Sequence, residues 1–468
     1  MRKTKESHLS ISVFERPEVT EPVPRVPVRK LRSECWLVMD SGLVELRMLR
    51  LFRMTGLVDL VADAVAASSL YLESSSTSYA SQIRKLVDKH QKWRAEECLN
   101  LIASENLTSH TVRQLLSGDM GHRYRADDRF YKGTRYMDEL EAMGEKLACE
   151  VFGADWATLR PLSGHVADMI MVSTLTKPGG SVLTVNPANG GYPGLSDQAG
   201  YPTFVNVRNL YFPFDSERMN IDVEKARGLI EDEKPSLVVF GQSFFLFPHP
   251  VKELADACAS AGSRVAFDGS HVLGLIAGGK FQKPLEEGAE LLLGSTHKSL
   301  FGPQGGIIVG KSGVESEVKA RQFPGLVDNA HWNRVAALIW ALDEARRVGA
   351  KYSAQVIANS KALAKSLHEG GVPVKCPDYG FTESHQVFLD IQDTKEIENF
   401  AQRLEDANII VDHGIRIGTC EVTRRGMKPK DMGRVAELIV RAYKGEEPAK
   451  MRREASKLRR QFNRILYT

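Results

Sequence analysis

The sequence predicts an α/β fold with a mostly parallel sheet covered by helices on both faces. Short apolar runs rich in β-branched residues recur along the chain, and helical stretches such as residues 250–262 separate several of them. Buried short strands that alternate with helices are typical of parallel sheets. The strand candidates occupy residues 181–185, 236–240, 264–268, 290–295 and 306–310.

The composition is that of an ordinary globular protein and excludes several classes. Of 468 residues, 43% are apolar and 26% are charged, which rules out a disordered or fibrous chain. The 62 basic residues nearly balance the 59 acidic ones, so charge gives no argument for nucleic-acid binding. The 6 cysteines are scattered without a CxxC pair, which argues against a disulfide scaffold and suits a reducing cytoplasm. Histidine spacing shows no metal motif, so we expect no metal.

Residues 1–80 differ from the rest of the chain. Residues 17–27 are rich in proline, residues 43–54 are apolar with interspersed arginines, and residues 73–80 resemble a linker. The middle stretch is too short and too charged to span a bilayer; a surface-bound amphipathic helix and a targeting peptide are the alternatives. We expect an extension outside the fold, or a start assigned too early with Met54 as the candidate start.

From about residue 81 the pattern becomes regular. A helix is predicted over residues 134–152, with Gly153 as its stop. Its apolar face holds Met137, Leu140, Met143, Leu147 and Val151. After a long helical stretch at about 332–369 the pattern changes to strand candidates at 386–391 and 408–412, a helix at about 395–407, and a last helix after Lys428. We therefore predict an arm and large domain over 81–365 and a smaller C-terminal α+β domain over 366–468.

Polar residues follow two neighbouring strand ends, where open parallel sheets bind their ligands. One end carries Asp268 and His271, and the other carries His297 and Lys298 before a glycine-rich turn. A crowded lysine suits an amine that forms a Schiff base, with its pKa lowered by desolvation and neighbouring positive charge. An aspartate nearby suits a cofactor with a protonated pyridine nitrogen. The alternative is that these are solvated loop residues.

A third element fits a phosphate group. Ser163, Gly164 and His165 precede an apolar helix that begins near Val166. Small residues at a helix N-terminus present free backbone N–H groups and the positive end of the helix dipole to a phosphate. The alternative is an ordinary helix cap, because serine is a preferred capping residue.

Six segments occur together in the order found in one known family. They are LIASENLTS (101–109), RFYKGTRYMDELE (129–141), DGSHVLGLIAGG (268–279), STHKSLFGPQGG (295–306), FPGL (323–326) and GIRIGTCEVTRRGM (414–427). From about residue 83 to about 445 the chain resembles serine hydroxymethyltransferase, and it is most similar to archaeal-type members, which share a segment like SFFLFPHP (243–250). The resemblance implies the pyridoxal-phosphate-dependent fold type I, with a seven-stranded, mostly parallel sheet. It also implies a homodimer with shared active sites.

The resemblance implies a role for each matching residue. Lys298 would form the Schiff base with pyridoxal 5'-phosphate, and Asp268 would pair with its pyridine nitrogen. His271 would contact the phenolic oxygen or the substrate carboxylate, which Arg416 would clamp with two parallel N–H bonds. Tyr131 would come from the neighbouring subunit and act near the reacting carbon. The other implied cofactor-binding residues are Ser163, Gly164, His165, Tyr192, Ser243 and His297, and the other implied substrate-binding residues are Ser104, Glu105 and Tyr124.

Three positions depart from the family pattern. Tyr192 stands where the family has a histidine that stacks on the ring; tyrosine can stack but supplies no imidazole proton, and a plain loop aromatic is the alternative. The loop after Tyr124 lacks the glutamate that is the family's proposed acid/base for the folate-dependent step. Asp127 or Asp128 takes its place, or both are solvated loop charges. Asp168 replaces an asparagine near the cofactor, where a carboxylate is unfavourable unless it points away.

We therefore predict a serine hydroxymethyltransferase that interconverts serine and glycine and passes a one-carbon unit to a reduced pterin. Tetrahydrofolate and tetrahydromethanopterin are both open as the carrier. One alternative is a β-hydroxy amino acid aldolase or transaldolase without pterin dependence, and another is a non-catalytic binding protein with this fold. We expect a cytoplasmic homodimer with small-molecule ligands, no nucleic-acid partner and no stable membrane span.

Overall fold

Helices and strands alternate along the part of the chain that this computed structural model describes, residues 78–126, 130–413 and 415–468. The predicted proline-rich stretch, the amphipathic helix at 43–54 and most of the linker lie outside these residues, as do Asp127 and Asp128. The strands are β1 (Leu99–Asn100), β2 (Trp156–Thr158), β3 (Ser181–Thr184), β4 (Arg208–Tyr211), β5 (Phe214–Asp215), β6 (Asn220–Ile221), β7 (Leu237–Phe240), β8 (Arg264–Asp268), β9 (Leu291–Ser295), β10 (Gly306–Gly310), β11 (Gln386–Phe388), β12 (Ile409–Ile410) and β13 (Arg416–Gly418). The α-helices are α1 (Tyr79–Gln91), α2 (His110–Leu116), α3 (Arg135–Phe152), α4 (Gly164–Leu175), α5 (Tyr201–Phe204), α6 (Val223–Glu233), α7 (Val251–Ala261), α8 (Leu273–Ala277), α9 (Pro284–Glu287), α10 (Glu315–Arg321), α11 (Trp332–Glu369), α12 (Thr394–Asp406), α13 (Cys420–Arg424), α14 (Pro429–Tyr443) and α15 (Pro448–Arg460).

Seven strands form the central sheet in the order β2-β10-β9-β8-β7-β3-β4. Parallel pairing runs from β4 through β3, β7 and β8 to β9, whereas β10 is antiparallel to both β9 and β2. Every residue of β7, β9 and β10 is buried. Strands of this kind have helices on both faces. The predicted fold class, an α/β protein with a seven-stranded, mostly parallel sheet, is confirmed.

A second group of elements consists of β1 and the elements that follow the long helix α11. Strand β11 pairs antiparallel with β13, and β1 pairs in parallel with β12. Apolar side chains of α12, α14 and α15 pack against these short strands in one core cluster, while the central sheet and α11 contribute to another. Residues 79–468 form one compact unit, and the division at residue 365 stays a prediction.

Two element boundaries differ from the prediction for local reasons. Helix α1 begins at Tyr79, inside the predicted linker at 73–80. Two helices rather than one follow Lys428, because Gly445 adopts a left-handed φ of 82° after α14 and Pro448 then starts α15. A left-handed glycine ends a helix, and proline is well suited to a first helical position. In the described residues every helix is too short or too polar to cross a bilayer.

The apolar stripe predicted on α3 is only partly buried, because the buried face of the helix is rotated relative to it. Met137 of that stripe is buried, but Met143 is 55% exposed. The helix turns Glu141 inward instead, where its carboxylate pairs with Arg160 at 2.6 Å and with Arg125 at 2.9 Å. Because the buried face is rotated, most of the apolar stripe lines a surface cleft between α3 and α11.

Candidate active site

A cavity of about 940 Å³ opens beyond the carboxyl ends of the central strands. Parallel strands end at the same edge of a sheet, so residues distant in sequence meet there. The structure brings most of the predicted site residues to this cavity. Those that line it are Ser104, Glu105, Tyr192, Ser243, His271, His297, Lys298 and Arg416.

Lys298 lies at the base of this cavity, just after β9. Its Nζ is 3.3 Å from Nε2 of His271, and its backbone carbonyl accepts a hydrogen bond of 2.9 Å from the amide of Asn106. Burial lowers the pKa of Lys298, and the positive charge of Arg416 adds to this effect, whereas Asp268 opposes it. The lysine is therefore biased towards its neutral, nucleophilic form.

Asp268 ends strand β8 behind the cavity lining. Its Oδ1 accepts a 2.9 Å hydrogen bond from the backbone N–H of Ser270, which fixes the carboxylate. Gly241 packs against this turn with a φ of 114°, and any side chain there would collide with the Asp268 carbonyl. The close approach of the β7 and β8 ends therefore requires glycine at this position.

His271 lies between Lys298 and the C-terminal part of the chain. Its Nδ1 is 2.9 Å from Nε2 of Gln386, and its ring is nearly parallel to that of His385 at 5.9 Å between centroids. Burial first, and then the charges of Lys298 and Arg416, hold the pKa of His271 well below its usual range. The imidazole is therefore neutral across the physiological pH range.

His297 precedes the lysine and is largely buried as well. Burial and the charge of Lys298 lower its pKa to about 4. Its Nδ1 has no hydrogen-bond partner in the part of the chain that is described.

Arg416 begins strand β13 and reaches the cavity from the side opposite the sheet. Its Nε donates to Asp412 at 2.6 Å, and its Nη1 donates to the carbonyl of Ser243 at 2.8 Å. The guanidinium also lies over the ring of Phe244, at 4.8 Å from the ring centroid. These contacts hold the group in place and leave its outer end for a carboxylate. Because Nε is already engaged, a carboxylate bound here would meet the two terminal nitrogens.

The start of α4 lies beside the ends of β8 and β9. Oγ of Ser163 accepts a 3.1 Å hydrogen bond from the N–H of Val166, so the serine side chain caps the helix, as the alternative interpretation expected. The helix consequently begins at Gly164, two residues earlier than the sequence suggested. A side chain at Gly164 would collide with the hydroxyl of Ser295, which shows how closely the helix start approaches β9.

Tyr192 occupies the loop after β3 and lines the cavity. Its hydroxyl is 3.2 Å from Nδ1 of His165, so these two predicted residues meet. Burial, with the nearby carboxyls of Asp168 and Asp268, raises the pKa of Tyr192 to about 12. The phenol therefore stays protonated and neutral.

Asp168 is fully buried on α4 near this group. Burial and the neighbouring Asp268 raise its pKa well above the usual range, so it favours the neutral acid. Its Oδ1 has no partner among the described residues. A carboxylate charge at this position was expected to be unfavourable, and protonation of Asp168 removes that charge.

The predicted substrate residues divide into two groups. Ser104 and Glu105 line the cavity, where Glu105 pairs with Arg94 at 2.6 Å. Tyr124 and Tyr131 are outside the lining of this chain's cavity; they are 51% and 38% exposed, with ring centroids 5.3 Å apart. The structure of one chain therefore does not bring these two tyrosines to Lys298.

Three residues that hold the site side chains escaped the sequence analysis. Asn106 holds the Lys298 backbone, Asp412 holds Arg416, and Gln386 contacts His271. Asn106 lies inside the motif at 101–109, and Asp412 stands two residues before the motif at 414–427, which was a usable signal. Gln386 carried no local signal, because its contact with His271 spans 115 positions of the chain.

The sequence model of the serine hydroxymethyltransferase family matches residues 77–439 of the chain. The chain belongs to this family. The serine hydroxymethyltransferase of Methanopyrus kandleri is 41% identical over 402 residues, which cover 82% of this chain and 94% of that protein. The one of Methanocaldococcus jannaschii is 40% identical over 410 residues, covering 82% and 95%. The predicted similarity to archaeal members of the serine hydroxymethyltransferase family is confirmed.

A solved structure shares the fold. L-threonine transaldolase of Pseudomonas fluorescens, solved in its internal aldimine state, superposes with a TM-score of 0.79 at 27% identity. The match covers 85% of this chain and 95% of that one. Together with membership in the serine hydroxymethyltransferase family, this confirms the predicted class, a pyridoxal-phosphate-dependent transferase.

The geometry of the site itself suits pyridoxal phosphate. His297 Nδ1 and Asp168 Oδ1 are buried without partners among the described residues, and such groups are costly unless a bound molecule satisfies them. The cofactor carries an aldehyde, a pyridine nitrogen and a phosphate. The site offers a buried amine on Lys298, a carboxylate on Asp268 and the N-terminus of α4.

Proposed function

We propose that this protein interconverts serine and glycine with transfer of a one-carbon unit to a reduced pterin, tetrahydrofolate or tetrahydromethanopterin. One observation carries the chemistry. The amine of Lys298 is buried 3.3 Å from a neutral histidine, in a cavity that Arg416 reaches from the other side. Serine hydroxymethyltransferases of several archaea, at about 40% identity, support this assignment.

Lys298 holds the cofactor in this proposal. Burial favours the neutral amine, whose lone pair is required for attack on an aldehyde carbon. When bound, pyridoxal phosphate supplies an electron sink for the bond broken at the substrate Cα. Asp268 holds the proton on the pyridine nitrogen, and its hydrogen bond from Ser270 keeps the carboxylate in place for that contact. Tyr192 lines the cavity and would provide an aromatic face for the cofactor ring.

The phosphate binds at the start of α4 in this proposal. Backbone N–H groups of Gly164 and His165 are unsatisfied within a helix at these positions and are available to an anion. Ser163 contributes by capping the helix, because its side chain accepts a hydrogen bond from the backbone N–H of Val166. Ser243 and His297 line the same cavity and complete the polar surroundings of the cofactor.

Arg416 orients the amino acid. A carboxylate binds the outer end of its guanidinium, and Ser104 adds a hydrogen bond from the facing wall. Glu105 contributes to the same wall and is held by Arg94. Because Asp412, Ser243 and Phe244 already immobilise the guanidinium, substrate binding needs little ordering of that side chain. The orientation sets which Cα bond faces the electron sink.

We infer a homodimer in which Tyr124 and Tyr131 serve the partner subunit's site. Both tyrosines are partly exposed and lie outside the cavity lining of their own chain. The cleft between α3 and α11 adds an apolar surface, since Met143 is 55% exposed and Trp340 is 42% exposed. Large apolar side chains grouped in this way mark interaction surfaces.

A second candidate function is an aldolase or transaldolase that does not use a pterin. The solved L-threonine transaldolase has the same fold at 27% identity. The sequence also lacks the glutamate of the family's folate-dependent step, and its site has Tyr192 near the place expected for a histidine. Both candidates use the same lysine, aspartate and arginine, so only the second substrate separates them.

We place the protein in the cytoplasm. Cys98, Cys149, Cys258, Cys376 and Cys420 are free thiols in the structure. Free cysteines are typical of a reducing compartment.

The test compares wild type with Lys298→Ala and with the control Lys311→Ala, a lysine at the far end of β10. We expect an absorbance band of attached cofactor in wild type and control but not in Lys298→Ala. We also expect serine-to-glycine conversion that needs tetrahydrofolate or tetrahydromethanopterin. Cleavage of serine or threonine that ignores both pterins establishes the aldolase or transaldolase instead. A band with no turnover of any hydroxy amino acid refutes both, and absence of the band in wild type refutes the cofactor assignment.

A further inference from the structure

The side-chain amide of Gln386 is fixed by two backbone groups. Its Oε1 accepts a 2.8 Å hydrogen bond from the N–H of Phe245, and its Nε2 donates to the carbonyl of Ser243 at 3.1 Å. An N–H can only donate and a carbonyl can only accept, so these partners settle which end of the amide is oxygen and which is nitrogen. Gln386 is fully buried, and its own N–H is held by Oγ of Ser384 at 3.0 Å.

This orientation decides the hydrogen-bonding state of His271. Nε2 of Gln386 lies 2.9 Å from Nδ1 of His271, and as an amide nitrogen it can only donate there. Nδ1 must therefore carry the lone pair. A neutral imidazole has one N–H, so in His271 that N–H is on Nε2, which is the nitrogen 3.3 Å from Nζ of Lys298.

We propose that Gln386 is a positioning residue that fixes His271 in the Nε2–H tautomer and thereby presents a hydrogen-bond donor to the amine of Lys298. An ammonium group has three donors and no acceptor, so only the neutral amine can accept this hydrogen bond. The contact therefore favours the deprotonated lysine, the form that captures an aldehyde. The inference deepens the proposed function, because it rests on Lys298 as the attachment point of the cofactor.

Charged groups around Lys298 and His271 include some that raise and some that lower the pKa of the lysine. Groups that influence Lys298 or His271 electrostatically are Asp168, Asp268, Arg416, His297 and His385. Asp268 favours the lysine ammonium, as Asp168 would if it were ionised, while Arg416 disfavours it. A donor on His271 thus adds to burial and Arg416 against Asp268.

Glutamine is suited to this position better than its close relatives. Glutamate would place a carboxylate against the Ser243 carbonyl and would accept a hydrogen bond from Nδ1–H of His271, which requires either the reversed tautomer or a protonated ring. Methionine fills a similar volume but makes neither hydrogen bond. Arg416 shares the Ser243 carbonyl with Gln386, so the same backbone atom positions both the lysine side and the carboxylate side of the site.

The direct test is the nitrogen spectrum of the histidines in the full-length protein after bound cofactor has been removed. Long-range proton–nitrogen NMR distinguishes protonated from unprotonated ring nitrogens, and His271→Asn assigns the signal. We expect Nε2–H in wild type, loss of that preference in Gln386→Met, and an Nδ1-protonated ring in Gln386→Glu. The control Gln322→Met removes another buried glutamine, which binds Thr158 instead, and should leave His271 unchanged. An Nδ1–H signal in wild type overturns the proposal without relying on any variant.

A second readout follows the lysine itself. The rate at which the cofactor-free protein takes up pyridoxal phosphate should rise with pH as Lys298 loses its proton. We expect the midpoint of that rise to move to higher pH in Gln386→Met and to stay in place in Gln322→Met. If both the pH midpoint of cofactor uptake and the tautomer of His271 are unchanged in Gln386→Met, the positioning role is refuted. Neither readout uses serine or a pterin, so a failed serine assay refutes the proposed function without touching this result.

Discussion

Replacing Arg416 by lysine tests the substrate end of the site, and the structure sets the size of the expected effect. A guanidinium has five N–H donors. Here Nε is taken by Asp412, and one donor of Nη1 is taken by the Ser243 carbonyl. Nη2 and the second proton of Nη1 are left to form two parallel hydrogen bonds to a carboxylate.

Lysine keeps the positive charge but cannot form the parallel pair. One charge-assisted hydrogen bond is then lost, which costs about 1.5 to 3 kcal/mol. Because each 1.4 kcal/mol corresponds to a factor of ten, serine affinity should fall by about 10- to 150-fold. Cofactor uptake should be unchanged, since in the proposed function Arg416 binds the amino acid and Lys298 binds the cofactor.

The assay titrates serine against the absorbance of bound cofactor and compares KM with kcat. The control is Arg264→Lys, which weakens a comparable ion pair, with Glu290 at 2.6 Å, at the far end of β8. Equal serine affinity in Arg416→Lys and wild type would show that the carboxylate binds elsewhere. A loss of cofactor uptake in Arg416→Lys would contradict the division of roles.

Three further predictions concern stability and assembly. Arg424→Leu should lower the free energy of unfolding, measured in urea, by about 3 to 5 kcal/mol. The reason is that the fully buried carboxylate of Glu344 loses its ion-pair partner at 2.9 Å. Adding Glu344→Leu to this variant should restore part of the lost stability. Met143→Glu places a charge in the α3–α11 cleft and should convert the proposed dimer to monomers in sedimentation, whereas an unchanged dimer would locate the interface elsewhere. Burial lowers the pKa of His249 to about 3 in the folded protein, against about 6.5 in the unfolded chain. As the pH falls from about 6.5 to about 3, the unfolded chain therefore binds a proton that the folded protein does not. The free energy of unfolding should fall across this pH range. His249→Asn should make this slope shallower, and an equally steep slope would exclude His249 as its cause.

The sequence was most informative where chemistry follows directly from strand ends. Asp268 and Lys298 could be placed together because β8 and β9 are parallel neighbours that end at one edge. The helix predicted at about 332–369 is observed as Trp332–Glu369, since its length and periodicity outweigh local variation. The edge strand Arg208–Tyr211 was missed, because it is only partly buried and lacks the apolar run that marks a central strand.

Contacts between distant segments were out of reach of sequence reasoning. Gln386 contacts His271 across 115 positions, and no local pattern reports such a contact.

The stripe on α3 illustrates a different difficulty. Periodicity identified an apolar face, but two arginines neutralise Glu141 and allow a charged residue to be buried instead. An ion pair inside the fold thus accompanies a buried face that is rotated from the one that apolar spacing alone predicts.

The two candidate functions differ in a part of the chain separate from the shared machinery. Lys298, Asp268 and His271 lie on or beside buried strands, and the second substrate does not change what they must do. The pterin question instead concerns the segment before Tyr131, whose predicted acid/base candidates Asp127 and Asp128 lie outside the described residues. We therefore expect that a substitution in that segment removes pterin dependence while leaving cofactor attachment intact. Asp127→Asn with Asp128→Asn makes the separation measurable: we expect an unchanged cofactor band with reduced pterin-dependent serine cleavage, whereas unchanged cleavage would exclude both aspartates as the acid/base.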